Sequence, residues 1–240
     1  MLDFREWWLE RLQDDDLTAN SANKDIIHLG HILKTVNNMK RLGYALCLES
    51  LVSFKEGDSQ ARPPFSDDWI QNKLLAPGAL DGLNSEARAI FIGMINTGYR
   101  PSEAAGLTAE RIRLDSNIPH IVIAPESDRE IMNKVSRRKI PLSGVSLEAF
   151  RQFPEGFPRY RENPASLSAT VNKYLTENNL RETDKHVFYS LRHSFEDRLL
   201  REGVDERIRR NFMGHSLGRE SYGEGGGLEF QLEMIKKIAF

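Results

Sequence analysis

The sequence of 240 residues has a single cysteine, Cys47. That excludes a disulfide framework and a cysteine-rich zinc site, and it suits a reducing compartment in which Cys47 is a small buried hydrophobe. Apolar runs are short: none approaches the roughly 18 residues that a membrane span needs. The opening MLDFREWWLE has neither the basic start nor the apolar core of a secretory leader. These absences predict a cytoplasmic protein with no membrane partner. There is also no excess of positive charge, since 33 Lys and Arg stand against 35 Asp and Glu for a net charge of -2. A uniformly basic nucleic-acid binder is therefore excluded. No internal repeat or long low-complexity segment occurs, which disfavours a solenoid.

What is present is an ordinary globular composition, 40% hydrophobic and 28% charged, which names a class and no activity. The placement of charge says more than its sum. Arg129, Lys134, Arg137, Arg138 and Lys139 crowd one stretch against Glu130, whereas acids gather at Asp14-Asp15-Asp16 and Asp67-Asp68. A basic face on a near-neutral protein fits this pattern, and so does solvated surface charge.

Along the chain, residues 2 to 13 carry Leu2, Phe4, Trp7, Trp8, Leu9 and Leu12 at near-helical spacing. A second helix is expected from Ser21 to Leu42, with Ile26, Ile27, Leu29, Ile32, Leu33, Val36 and Met39 as its apolar stripe and Gly43 as its stop. Ser53 to Asp68 is polar and broken by Gly57 and Pro63-Pro64, which is linker composition. We expect an N-terminal helical segment over 1–58, a linker over 59–67 and a second domain over 68–240. In that second domain, helices are expected near Asp68–Leu75 and over Ser85–Thr97, the latter stopped by Gly98. Arg100 follows that stop, and Pro101 suits the first position of a further short helix.

Residues 110 to 142 change period. Arg111–Leu114, His120–Ile123 and Arg138–Leu142 read as three short strands with turns at Asp115–Asn117 and Asp128–Ser136. Helices then return at 146–153, Pro164–Glu177, Tyr189–Glu202 and from Asp205 to Gly214, with a Pro-rich loop from Pro154 to Asn163. A last helix beyond Gly223–Gly227 places Phe230, Met234 and Ile238 on one face. The fold class expected is α+β, mostly α, with a small three-stranded antiparallel sheet.

Chemistry concentrates between Phe188 and Tyr222. Arg192 lies in one helix, His215 follows the Gly214 that ends the next, and Tyr222 sits in the loop beyond. Arginine offers a fork that fits two phosphate oxygens, histidine moves protons near neutral pH, and an activated tyrosine hydroxyl is a nucleophile. Together they suggest attack on a phosphodiester.

The order of these residues resembles the tyrosine recombinase, or phage integrase, family. Leu191-Arg192-His193, then Gly214-His215, then Tyr222 is similar to the second half of that family's signature, and Thr97-Gly98-Tyr99-Arg100-Pro101-Ser102-Glu103 with Leu107 is similar to the first. Lys134 stands where the family has a lysine in a β-hairpin, with Arg137 and Lys139 as rival candidates. One position departs: the family usually has histidine three residues before the second arginine, and here it is Tyr189.

The resemblance implies a helical catalytic domain preceded by the last part of a core-binding domain, whose earlier helices lie outside these 240 residues. It implies a site-specific DNA recombinase that cleaves and rejoins strands through a 3'-phosphotyrosyl intermediate and uses no metal, nucleotide or other cofactor. Arg100 and Arg192 would stabilise phosphate charge, Lys134 would be the acid for the leaving oxygen, and Tyr222 the nucleophile. Tyr189 and His215 would assist at the phosphate, Glu103 would support Arg100, and Arg137, Arg138 and Lys139 would face DNA. His193, about 100 degrees round the helix from Arg192, is expected to be structural. The implied partners are double-stranded DNA, further copies of the chain in a tetramer and accessory DNA-bending proteins, in a bacterial or phage-encoded, nucleoid-associated setting. The last helix would pack on a neighbouring protomer or on its own domain. Rival readings are a type IB topoisomerase, a DNA-binding module that has lost cleavage, and a protein-interaction domain with no DNA role.

Overall fold

In the computed structural model the described residues are 2–14, 17–46, 53–55, 62–124, 137–216 and 226–240. Cys47, Lys134, Tyr222 and the whole of the turn Asp128–Ser136 lie outside them. The chain divides into two compact units, Met1–Ala61 and Arg62–Phe240.

The first unit pairs α1 (Leu2–Asp14) with α2 (Ala19–Met39). Thr18 caps α2 by accepting from the Ser21 amide, satisfying one of the donors that a helix start leaves open. Trp8, Ala22, Ile26 and Phe54 form a small core. The Asn23 side chain holds the Phe54 backbone on both sides, at 3.0 and 2.8 Å. Of the stripe expected on α2, Ile26 is buried, but Ile27, Ile32, Val36 and Met39 are exposed. Helical spacing defines a stripe; two helices and one short segment cover only part of it.

The second unit opens with α3 (Asp67–Trp69), capped by Ser66, which runs into a π-turn over Ile70–Leu74. The sequence pattern anticipated a helix here but not this wider turn. Next come α4 (Ser85–Ile95), capped by Asn84, and α5 (Pro101–Ala105). A 3-10 turn, Ala109–Arg111, leads into the sheet. Strands β1 (Ile112–Arg113), β2 (His120–Ile123) and β3 (Arg138–Pro141) pair antiparallel in that order, with Ile121 opposite Ile140. Helices α6 (Gly144–Arg151), α7 (Pro158–Arg161), α8 (Pro164–Glu177), α9 (Ser190–Arg201), α10 (Glu206–Met213) and α11 (Gly227–Ile238) complete it. Helix α7 occupies the stretch expected to be loop, started by Pro158 at its first position.

The fold is mostly helical with a small three-stranded antiparallel sheet, as the sequence pattern implied. One core runs through the unit, centred on Phe91, Met94, Phe150, Phe188, Phe195 and Phe212. Helix α11 docks on its own unit, against β3 and α9. Its buried face is Gln231, Ile235 and Ile238, whereas Phe230 is exposed, so the face expected from Phe230 and Met234 is rotated by about one position. The C-terminus is held from three sides. Arg198 donates to the Ile238 carbonyl, Asn96 donates to that of Phe240, and the Val145 amide donates to the same Phe240 oxygen.

Candidate active site

Arg100 and His215 sit just beyond helix ends, where the backbone turns, while Arg192 lies within the first turn of α9. Helix α4 is closed by Gly98, whose φ of +59° is left-handed and whose added Cβ would lie 2.3 Å from the Phe195 ring. The turn places Arg100 as the N-cap of α5. Glu103, one turn on, accepts from the Arg100 amide at 2.7 Å and from the Arg100 guanidinium at 2.7 Å.

Helix α9 presents Arg192, 1% exposed. Burying a guanidinium requires partners for its donors, and the backbone supplies them: Arg192 donates to the carbonyls of Gly98 and Met213. Its Nη2 also lies 3.2 Å from His215 Nε2. Arg192 therefore ties the end of α4 to the end of α10. Burial first, then repulsion from Arg100 and Arg138, lowers its pKa to about 10 against the attraction of Tyr189 and Glu103. It remains charged at neutral pH.

Helix α10 begins at Asp205, which accepts from the Arg207 amide, and ends at Gly214 in the left-handed region. The exposed His215 follows, its amide bonded to the Arg210 carbonyl at 2.9 Å. Partial burial of its ring, followed by the charges of Arg192 and Arg100, lowers its pKa against the opposing charge of Glu196.

Tyr189 is the residue before α9, half-buried, with the Arg192 guanidinium 6.0 Å and the Arg62 guanidinium 5.6 Å from its ring centre. His193 meets that ring edge-on at 5.5 Å. Burial lowers the His193 pKa, with Arg192 and Arg62 adding to it and Glu196 opposing.

Arg137, just before β3, and Lys139 on it are exposed. Arg138 is not: it is 5% exposed and turned inward. Its Nη1 and Nη2 donate to the two oxygens of Glu103 at 3.0 and 2.7 Å, and its Nε donates to the Phe212 carbonyl at 2.8 Å. The expectation that Arg138 faces DNA is therefore corrected. The cause is the period of a strand, on which Arg138 shares the inward face of Ile140 while Lys139 points the other way. That alternation was available in the sequence as the signal that Arg138 belongs inside.

The structure thus brings together Arg100, Glu103, Arg192 and His215, with Tyr189 on the flank and Arg138 behind. Glu103 receives four donors. Although burial pushes its carboxyl up, Arg138 and then Arg100 bring it down to about 2. The site presents a surplus of positive charge over one fully engaged carboxylate, with carbonyls fixing the guanidiniums. That arrangement can hold a phosphate diester and stabilise charge developing on its oxygens.

Among solved structures, the chain is similar to the Tn1549 transposon integrase in complex with transposon right end DNA. The TM-score is 0.62 at 17% identity, covering 97% of this chain and 79% of that one. It is similar to the integrase from mycobacterium phage Brujita, with a TM-score of 0.56 at 18% identity, covering 97% and 77%. It also resembles XerH site-specific recombinase bound to difH substrate, with a TM-score of 0.59 at 15% identity, covering 98% and 66%. At such identities the likeness is one of fold. In sequence it is 29% identical over 162 residues to tyrosine recombinase XerD of Lacticaseibacillus casei, a match that covers 61% of this chain and 52% of that protein. The chain therefore spans about half the length of that relative. The phage integrase family profile matches residues 74–220, more than half of the sequence, and the chain belongs to the phage integrase family.

Proposed function

We propose that this protein is a site-specific DNA recombinase that breaks and rejoins strands through a phosphotyrosine. The observation that carries the reading is the convergence of Arg100, Arg192 and His215, distant in sequence: Arg100 pairs with a carboxylate, Glu103, already occupied by Arg138, and Arg192 contacts His215. Packing alone has no use for such a surplus of buried and half-buried positive charge, which costs free energy unless an anion answers it. Tyr222, seven residues beyond His215 in the sequence, is within tether length of the same place.

In this mechanism the Tyr222 hydroxyl oxygen attacks the scissile phosphorus while its proton leaves to a neighbouring acceptor, with His215 placed to assist. The bond to the 5'-oxygen breaks, Lys134 supplies the proton to that oxygen, and a 3'-phosphotyrosyl link remains. One phosphoester replaces another, so no metal ion or nucleotide is needed. A 5'-hydroxyl from a second strand reverses the step, which is recombination. Arg100 and Arg192 stabilise the charge that grows on the nonbridging oxygens. The exposed Arg137 and Lys139 contact the DNA backbone. Tyr189 donates a hydrogen bond at the phosphate without the charge that a histidine there would add.

We further assign α1 and α2 to the end of a core-binding domain and residues 68–240 to the catalytic domain. We assign double-stranded DNA as substrate, a tetramer on DNA as the working assembly, assisted by DNA-bending proteins, and the bacterial cytoplasm as its place. The DNA complexes of the similar integrases support the substrate.

The test is covalent trapping. Wild type and Tyr222→Phe are incubated with nicked duplexes carrying candidate attachment sequences, and denaturant-resistant protein–DNA adducts are sought. An adduct with wild type alone is expected. No adduct from a protein that binds the same duplex would point instead to a DNA-binding module that has lost cleavage.

A further inference from the structure

We propose that Arg138 is a positioning residue for strand cleavage, taking up the charge of Glu103 so that Arg100 keeps its own for the phosphate, and holding the end of α10 from which His215 is presented. The inference rests on the recombinase reading above.

Arg100 and Arg138 pair with one carboxylate, Glu103, whose charge also acts on Arg192. With Arg138 in place, the four groups leave a net of two positive charges. Without it, Glu103 would have Arg100 as its ion-pair partner, the two would cancel, and one positive charge would remain. Geometry assigns the pairing. Arg138 meets both Glu103 oxygens in a fork, whereas the Arg100 side chain reaches Oε1 alone through Nη1. A fork–fork pair is the stronger of the two arrangements. The Arg138 side chain is 1% exposed and that of Arg100 is 24% exposed, so the group that neutralises is walled off and the group that can meet a ligand is at the surface.

The same guanidinium reaches α10. Its Nε donates to the Phe212 carbonyl, one of the last-turn oxygens that a helix leaves without an internal partner, and its charge complements the helix dipole there. Immediately beyond, Gly214 has a φ of +61°, and a Cβ at this position would lie 2.7 Å from Arg138 Nη1. The glycine before His215 is thus demanded twice, by the left-handed turn and by the arginine lying against its backbone. Arg138 joins the turn that carries Arg100 to the turn that carries His215. It also anchors the end of the strand reached from Lys134, four residues earlier in the sequence.

The experiment uses Arg138→Met, which removes charge and fork, and Arg138→Lys, which keeps charge without the fork. Adduct formation is timed at saturating duplex, alone and in an Arg100→Ala background. Arg138→Met is expected to slow it about 100-fold or more, with Arg138→Lys between that and wild type and the affinity for DNA within about threefold. In the Arg100→Ala background the further loss is expected to be clearly smaller, because the charge part of the effect passes through Arg100 and only the hold on the end of α10 remains. Near-normal rates in both variants, or an equal loss in both backgrounds, would overturn the inference. A readout without DNA accompanies it: the carboxyl NMR signal of Glu103, assigned by its disappearance in Glu103→Gln. Its titration midpoint should rise in Arg138→Met, and in Arg138→Lys if the methionine variant does not fold. A midpoint that stays put overturns the inference even if wild type makes no adduct. A moved midpoint with no wild-type adduct sustains the charge coupling and overturns the recombinase reading alone.

Discussion

His215 Nε2 accepts a hydrogen bond from Arg192 Nη2 at 3.2 Å. Arginine has donors and no acceptor, so the contact requires a lone pair on Nε2 and places the proton of the neutral ring on Nδ1. Partial burial, then the charges of Arg192 and Arg100, disfavour imidazolium and outweigh the opposing charge of Glu196.

The His215 ring should therefore titrate below the ordinary histidine value of about 6.5. Because the folded value is the lower one, the unfolded chain binds the proton first, and the contribution to stability is lost as pH falls from about 6.5 through the folded value. Nitrogen-detected NMR of the ring should show the Nδ1–H tautomer at pH 7. A midpoint above 6.5 would contradict the arrangement.

The Glu103 carboxyl is also shifted down, here because its charged form is favoured. It ionises at about 2 in the folded state, so the stability it provides is present above about pH 4.5 and disappears as pH falls toward 2. By linkage this is on the order of 3 kcal/mol. Glu103→Gln should lower the unfolding free energy in urea by about 3–5 kcal/mol at pH 7, since it strands buried positive charge. The gap to wild type should narrow steadily below pH 4.5. A gap independent of pH would show that the carboxylate is not the source.

Gly214→Ala should cost about 1–2 kcal/mol from the left-handed backbone alone, and more if Arg138 cannot yield. Chemical denaturation gives the first number. Adduct formation should fall further than stability does, because the substitution displaces the turn that carries His215. Equal losses would argue that His215 is not needed in its present place.

For Lys134→Ala we expect slow cleavage that recovers on a duplex whose scissile 5'-oxygen is replaced by a better leaving group, since such a group needs no proton. Absence of recovery would move the acid role to Arg137, Lys139 or another group.

Arg137 and Lys139 are exposed while their neighbour is buried. Neutralising each should weaken DNA binding roughly equally on all sequences and reduce the slope of log affinity against log salt by about one. An unchanged slope would remove them from the DNA surface.

Much of the architecture was legible because its causes are local. Asp205 caps the helix that follows it. Gly98 and Gly214 stop helices at left-handed turns. Strands β2 and β3 fall where the period changes to two. The positions of Arg100 and His215 just past helix ends followed from those stops. Tyr222 and Lys134 lie outside the described residues, so their roles stay proposals on chemistry and order.

The sequence by itself thus determined where elements begin and end and which residues stand at their turns, because capping, glycine backbone freedom and side-chain period act over a few residues. Only the tertiary structure decided which stripe of α11 is buried, how little of the apolar face of α2 is covered, and that Arg138 serves Glu103, 35 residues away, instead of DNA. Helical periodicity allows several adjoining stripes, and a charged side chain carries no sign of its partner. Packing against distant elements selects among them, because a buried charge must find its counter-charge wherever the fold supplies one.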